Sequence, residues 1–409
     1  MYIKRHLEES ILKSSAEYPV VMLCGQRQVG KSTMLYHIKE AARTYISLDD
    51  MNARRLAESD PGLFFETYTP PVLIDEFQRV PSILLEIKKI VDQKALDGED
   101  NAGMFWLTGS QKFSMMKGVS ESLAGRIAVY DLSSLSSAEI DGRRLWEFDP
   151  EIDALKKRIA DAPKAALHDV FKKIIRGGMP RVITTDIDPE RYYSDYVNTY
   201  IEKDIRDYAH IGHLHQFGDF LIYMAAHTSQ EMNYSKISSE IGISAPTAKE
   251  WVSLLESTGI IYILRPYYNN ITKRLVKTPK MYFMDTGLAA WLTRWPNADV
   301  LANGAMSGAF FETYVVSEIV KSFINSGHHP DIYYYRDMDQ KEVDLIIVRE
   351  GKIWPVEIKK NKVPDHPDKN FSVLKKLGLD VRPGVVLCLS DQLVPMNRDA
   401  WLCPVSVLQ

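Results

Sequence analysis

The chain has 409 residues, 45% of them hydrophobic and 25% charged, with a net charge of −4. That length accommodates two or three domains with substantial cores. The balanced charge excludes a protein whose partner is dictated by bulk electrostatics, so any nucleic-acid contact has to come from a local patch.

Cys24, Cys388 and Cys403 are scattered in apolar surroundings and match neither a zinc site nor a disulfide framework, which points to a reducing compartment. The first ten residues are charged and helix-like, without the apolar core of a signal peptide. No apolar run approaches the ~18 residues of a membrane span. A cytoplasmic protein without membrane contact is expected.

The apolar run 20–23 predicts a strand. It leads into Gly25-Gln26-Arg27-Gln28-Val29-Gly30-Lys31-Ser32, and a helical pattern follows over about 33–42. Strand, glycine-flanked loop, Lys-Ser and helix make the P-loop arrangement. In it, backbone N–H groups from Gly25 to Thr33 curl around the β- and γ-phosphates of a nucleotide. Lys31 neutralises those phosphates and the Ser32 hydroxyl ligates Mg²⁺.

Further apolar strands are expected over 44–48, 71–76, 104–110 and 126–132, with helical patterns between them, as over 82–94. Alternating strands and helices of this kind predict a parallel sheet covered on both faces, within an ATPase domain spanning 1–160. Ligands of such sheets bind beyond the carboxyl ends of the strands. Asp75, Glu76 and Ser110 are therefore expected beside the P-loop. Asp75 would hold Mg²⁺, Glu76 would polarise the attacking water, and Ser110 would bond the γ-phosphate or that water. The simpler role for Asp75-Glu76 is to cap the following turn. Gly125 has the look of a helix C-cap, and Arg126 begins a strand. Arg126 is a candidate for stabilising transition-state charge or, equally, for satisfying helix-terminal carbonyls.

The segments Gly25 to Ser32, Val72 to Glu76, Leu107 to Gln111 and Ser122 to Arg126 resemble the ATPase domain of a prokaryotic AAA+-type (AAA_14) family. In that family the ATPase is fused to a C-terminal region known as DUF4143. The similarity continues through Gly177-Gly178-Met179-Pro180, Tyr200-Ile201-Glu202-Lys203-Asp204-Ile205 and the C-terminal block, and so covers most of the chain. It implies ATP as the nucleotide and carries over Lys31, Ser32, Asp75, Glu76 and Arg126.

Residues 161–300 read as a helical connector. A short helix from Tyr234 is closed by Gly242, a second is opened by Pro246 and runs to about Ser257, and a strand is expected over 260–264. This order resembles a winged helix-turn-helix. The segment 265–280 carries Arg265, Lys273, Arg274, Lys277 and Lys280 without one acid, interleaved with Tyr267 and Tyr268 and flanked by Tyr262 and Tyr282. Such a pattern suits DNA or RNA phosphates with stacking partners, or a solvated wing that supports packing or a protein partner.

In the last block, 301–409, strands are expected over 333–335, 342–348 and 353–359, with Glu350-Gly351 as a two-residue hairpin turn. Arg349 then pairs with Lys352, and Asp344 falls opposite Glu357 on one face. Lys359 projects from that same face. Two facing acids in apolar strands need compensation, which a divalent cation would supply. Glu312 lies on the inward face of a helix over 309–325, where an unpaired carboxylate is costly. The set Glu312, Asp344, Glu357-Ile358-Lys359 resembles the PD-(D/E)xK nuclease fold, with Val343 in place of the usual proline. In that fold the acids bind Mg²⁺ and the lysine stabilises developing charge. An Asp344–Lys359 ion pair on a sheet that no longer cleaves is the alternative.

The expectation is thus an α/β chain: a P-loop ATPase sheet, a helical and winged-helix connector, and a nuclease-like α/β domain. ATP and Mg²⁺ are the implied ligands. Nucleic-acid contact, a protein partner and self-association stay open.

Overall fold

The computed structural model describes residues 1–109, 122–160, 162, 166–201, 214–268 and 278–409. Ser110, Lys273, Arg274 and Lys277, together with Gln111 and Glu202 to Ile205 of the family-like segments, lie outside the described residues.

Five strands form the first sheet: β1 Val20–Gly25, β2 Thr44–Ser47, β3 Val72–Asp75, β4 Phe105–Thr108 and β5 Ile127–Leu132. They are all parallel, in the order β2-β3-β4-β1-β5. The runs are apolar because both faces are covered. Val20, Met22 and Cys24 point into one core with Ile74 and Leu107, while Val21 and Leu23 join Leu73 and Trp106 in the other. Because the strands run one way, Gly25, Asp75 and Thr108 finish at a common edge. Insertion of β4 between β1 and β3 puts Thr108 between the loop and the acids.

The connector is helical up to a two-stranded antiparallel sheet of β6 Ile261–Leu264 and β7 Lys280–Phe283. Helix Tyr234–Ile241 ends on Gly242 at φ 73°, which satisfies the αL cap that glycine favours. Helix Ala245–Ser257 starts from Ser244, whose hydroxyl accepts the Thr247 amide, with proline in the first turn.

The C-terminal sheet contains β8 Ile332–Arg336, β9 Glu342–Arg349, β10 Lys352–Ile358, β11 Asp380–Val381, β12 Gly384–Cys388, β13 Val394–Pro395 and β14 Ala400–Pro404. Its main path is β13-β14-β12-β10-β9-β8, with β11 beside β10. Helix Ser307–Asn325 is buried along most of its length. It ties the C-terminal sheet to the first domain: Ser137 N donates to Glu318 Oε2 at 2.7 Å, and the Ser137 and Tyr314 hydroxyls are 2.9 Å apart. Among the described residues no helix is long and apolar enough to cross a membrane.

Candidate active site

The P-loop leaves β1 at Gly25, whose φ is 142°. A Cβ there would sit 2.1 Å from the Leu132 carbonyl oxygen of the neighbouring strand, so only glycine fits. Gly30, at φ 93°, turns the chain into helix Lys31–Ile38. Lys31 is buried, and its ammonium donates to the carbonyls of Gly25 at 2.9 Å and Gln26 at 2.7 Å. Burial dominates and pulls its pKa down to about 8, partly offset by Glu76. Among the described residues its hydrogen bonds go to carbonyls and Glu76 compensates the charge only in part, so an anion in the loop would relieve it.

Asp75 organises the neighbouring strand ends. Its Oδ1 accepts the Ser32 hydroxyl at 2.8 Å and the Thr108 hydroxyl at 2.9 Å, and its Oδ2 accepts the Tyr45 hydroxyl at 3.0 Å. Glu76 follows in the left-handed region at φ 55°, which turns it out of the strand towards the loop. Burial raises its carboxyl pKa, with Lys31 opposing the shift. Gln78 donates its amide to Glu76 Oε2. A cavity of about 690 Å³ gathers Arg27 to Thr33 and Glu76. It is also lined by Arg5 from the N-terminal segment and by Pro180, Arg181 and Thr184 from the connector.

A second polar cluster lies in the C-terminal sheet. Arg349 pairs with Lys352 and Leu345 with Val356, and Glu350 and Gly351 make the turn at φ 48° and 76°. Continued by one step, this register sets Asp344 opposite Glu357. Asp344 Oδ2 accepts the Ile358 amide at 2.9 Å and the Lys359 ammonium at 3.3 Å, and Lys359 is 2.6 Å from Glu357 Oε1. Burial, followed by the charge of Asp344, pushes Glu357 up to about 8. Its Oε2 is buried without a hydrogen-bond partner among the described residues. Glu312 accepts the Tyr282 hydroxyl at 2.7 Å and the Lys280 ammonium at 3.3 Å. Burial, then Asp344, raises its carboxyl as well, with Lys280 opposing.

Family models match the chain in three blocks: an AAA domain at residues 17–141, a domain of unknown function (DUF8612) at 154–299, and a second domain of unknown function (DUF4143) at 307–408. The chain joins an AAA domain to a DUF4143 domain. Uncharacterized proteins of Mycobacterium bovis and Mycobacterium tuberculosis are each 26% identical to it over 401 residues, which is 95% of this chain and 82% of theirs. Among solved structures, the Walker-type ATPase PABY2304 of Pyrococcus abyssi has a TM-score of 0.44 at 15% identity, covering 71% of this chain and 96% of that one. A RuvB variant of Thermotoga maritima has a TM-score of 0.30 at 16% identity, covering 64% and 88%.

The AAA domain brings Lys31, Ser32, Asp75 and Glu76 together, but Arg126 stands apart. Its carbonyl accepts the Val20 amide, so it sits at the opposite end of β1 from the loop. Six residues at ~3.3 Å each put it ~20 Å away. There its Nε donates to Asp92 at 2.5 Å and its Nη1 to the Ala124 carbonyl at 3.2 Å. It does not reach this chain's own nucleotide site.

At the described end of the basic connector segment, Lys280 also differs from expectation. The sequence pattern suits Lys280 to an exposed face, turned to phosphate or to solvent on a packing wing. Instead it is buried and ion-paired with Glu342 at 2.6 Å and Glu312 at 3.3 Å. Tyr282 and Tyr267 are core residues and not stacking surfaces. Alternation explains the misplacement: Lys280 and Tyr282 are two apart on β7 and share the face turned to Glu312.

Three contributors were not visible in the sequence. Arg5 donates to the Val29 carbonyl at 2.8 Å, the Ser133 carbonyl at 2.8 Å and Glu139 at 3.0 Å, bracing the loop against the end of β5. Tyr45 and Arg181 belong to no local motif. Only the Gly-Gly-Met-Pro turn immediately before Arg181 could have drawn notice to it.

Proposed function

We propose that the chain is a Mg²⁺-dependent ATP hydrolase whose nucleotide state is passed to the connector and on to the DUF4143 domain. One observation carries this reading. A single cavity is lined by the P-loop, by Glu76 from the end of β3 and by Arg181 from the connector.

The residues fit the ligands. Lys31 is a buried cation awaiting an anion, and Arg27 and Arg181 add positive charge around the same space. Ser32 and Asp75 are adjacent hard-oxygen donors suited to Mg²⁺. Bound there, the ion would neutralise phosphate charge. Glu76, held by Gln78, is the carboxylate available to orient water and draw off its proton. Thr108 and Tyr45 keep Asp75 from rotating.

The same loop is tied to the connector. The Gln26 amide donates to the Gly259 carbonyl, just before β6, and the Tyr192 hydroxyl donates to Gln28 Oε1 at 2.8 Å. A phosphate entering the loop would compete for the geometry these bonds hold, which gives nucleotide binding a mechanical outlet. The test is thermal unfolding with and without Mg-ATP. Wild type should be stabilised and Lys31→Ala should not; a wild type indifferent to Mg-ATP would contradict the reading.

A second reading, coupling hydrolysis to nucleic-acid processing, is favoured by Asp344, Glu357 and Lys359 on facing strands. The helix-turn-helix followed by the β6–β7 sheet supports a winged helix as the contact. Metal-dependent cleavage of mixed DNA and RNA that disappears in Asp344→Ala would support it. Salt-sensitive binding without cleavage would leave a DNA-binding module, and neither behaviour would leave a protein-binding one.

A further inference from the structure

We propose that Lys280 is a built-in cation that takes the place of a divalent metal in the acid cluster of the DUF4143 domain. The proposal rests on the nuclease-like fold of that cluster, argues against metal-dependent cleavage there, and is independent of the ATPase reading. Four carboxylates meet here: Glu312 from helix Ser307–Asn325, Glu342 and Asp344 from β9, and Glu357 from β10. Buried charge of one sign needs an opposite charge.

The connector supplies it. Lys280 lies on β7, is 5% exposed, and puts its ammonium 2.6 Å from Glu342 Oε1 and 3.3 Å from Glu312 Oε1. The Tyr334 ring lies below it, with its centroid 5.6 Å away. Tyr282, on the same face of the strand, fixes Glu312 by a 2.7 Å hydrogen bond. Thus β7 holds the carboxylate that would complete a three-acid site with Asp344 and Glu357. Those two keep Lys359 between them, and Glu357 Oε2 is buried without a hydrogen-bond partner among the described residues.

A divalent ion does not fit this arrangement. Among the described residues no three His, Cys, Asp or Glu side chains are grouped to hold one. Hard cations require several unencumbered oxygens, and here Lys280 takes Glu312 Oε1 and Glu342 Oε1 while Lys359 takes Asp344 Oδ2 and Glu357 Oε1, one oxygen of each acid. A fixed ammonium within ~4 Å would also repel an incoming cation by several kcal/mol at an effective dielectric of ~20. In this state the domain is held to the connector by charge in the place where a nuclease would hold its metal.

Mn²⁺ titration of the nucleotide-free full chain, with free ion followed by electron paramagnetic resonance, tests the proposal. Four forms are compared: wild type, Asp344→Asn, Lys280→Gln, and the double variant. Wild type and Asp344→Asn should be indistinguishable. Lys280→Gln, which keeps hydrogen-bond donors while losing charge, should gain one ion with affinity at least about tenfold tighter, and the double variant should lose it. Lys280→Met is the second variant should Gln unfold the chain, and the comparison of wild type with Asp344→Asn needs neither. An Asp344-dependent ion in wild type would overturn the proposal while upholding a metal site. Absence of such an ion from both wild type and folded Lys280→Gln would overturn both.

Discussion

The Ser32 hydroxyl lies 2.8 Å from Asp75 Oδ1, joining the start of the P-loop helix to the end of a strand two places away in the sheet. That bond puts a hydroxyl from the cavity lining beside a carboxylate oxygen. It is the contact that Mg²⁺ would enter.

Lys31 makes nucleotide affinity dependent on pH. Burial lowers its pKa to about 8 in the free protein, and bound phosphate would raise it. Affinity should therefore be flat below about pH 8. Above it, each pH unit should weaken binding by up to about tenfold, because the free protein must take up a proton to bind. Calorimetric titration with ATP from pH 7 to pH 9.5 checks this, against an arginine at position 31 (Lys31→Arg) that should show no such break.

Arg5 is worth more than its distance from any motif suggests. Its ion pair with Glu139 is fully buried, and two backbone carbonyls also depend on it. Arg5→Met leaves the Glu139 carboxylate uncompensated and should cost ~3–5 kcal/mol. Denaturant unfolding of the nucleotide-free chain gives the number directly.

Glu357 should show the opposite sign to an ordinary surface acid. Its folded pKa, about 8, lies above the unfolded one, so the folded state binds more protons between those values. The residue therefore erodes stability progressively as pH rises from about 4.5 to about 8. The melting temperature of Glu357→Gln relative to wild type should climb across that window and level off above it.

Gln26 tests the link between loop and connector. Gln26→Ala removes the bond to the Gly259 carbonyl and should lower stability by ~1 kcal/mol. Mg-ATP should still bind, while the protection from hydrogen exchange that binding confers on β6 and β7 should shrink. Exchange mass spectrometry distinguishes this from a general loosening.

Much of the nucleotide site was legible because its chemistry is consecutive: loop, Lys31 and Ser32 form one run, and Asp75-Glu76 ends an apolar strand. The β9–β10 register was legible too, since a two-residue turn fixes every pair beyond it. What escaped were contacts that sequence distance hides. Arg5 meets Glu139 across 134 positions, and Tyr45 meets Asp75 only because β2 lies beside β3. Lys280 was misplaced for a related reason. Its basic neighbours suggested an outward face, but a four-residue strand gives no periodicity long enough to tell in from out. Arg126 shows the same limit for this chain's own site, because a residue just before a strand lies at the opposite end from the P-loop.

Phosphate release from Mg-ATP, compared between wild type and Glu76→Gln, tests the central claim most directly. Glu76 is assigned to orienting water and not to holding the nucleotide. The variant should bind Mg-ATP as wild type does while its turnover falls by about two orders of magnitude or more. Equal turnover in the two proteins, or none in wild type, would contradict the account.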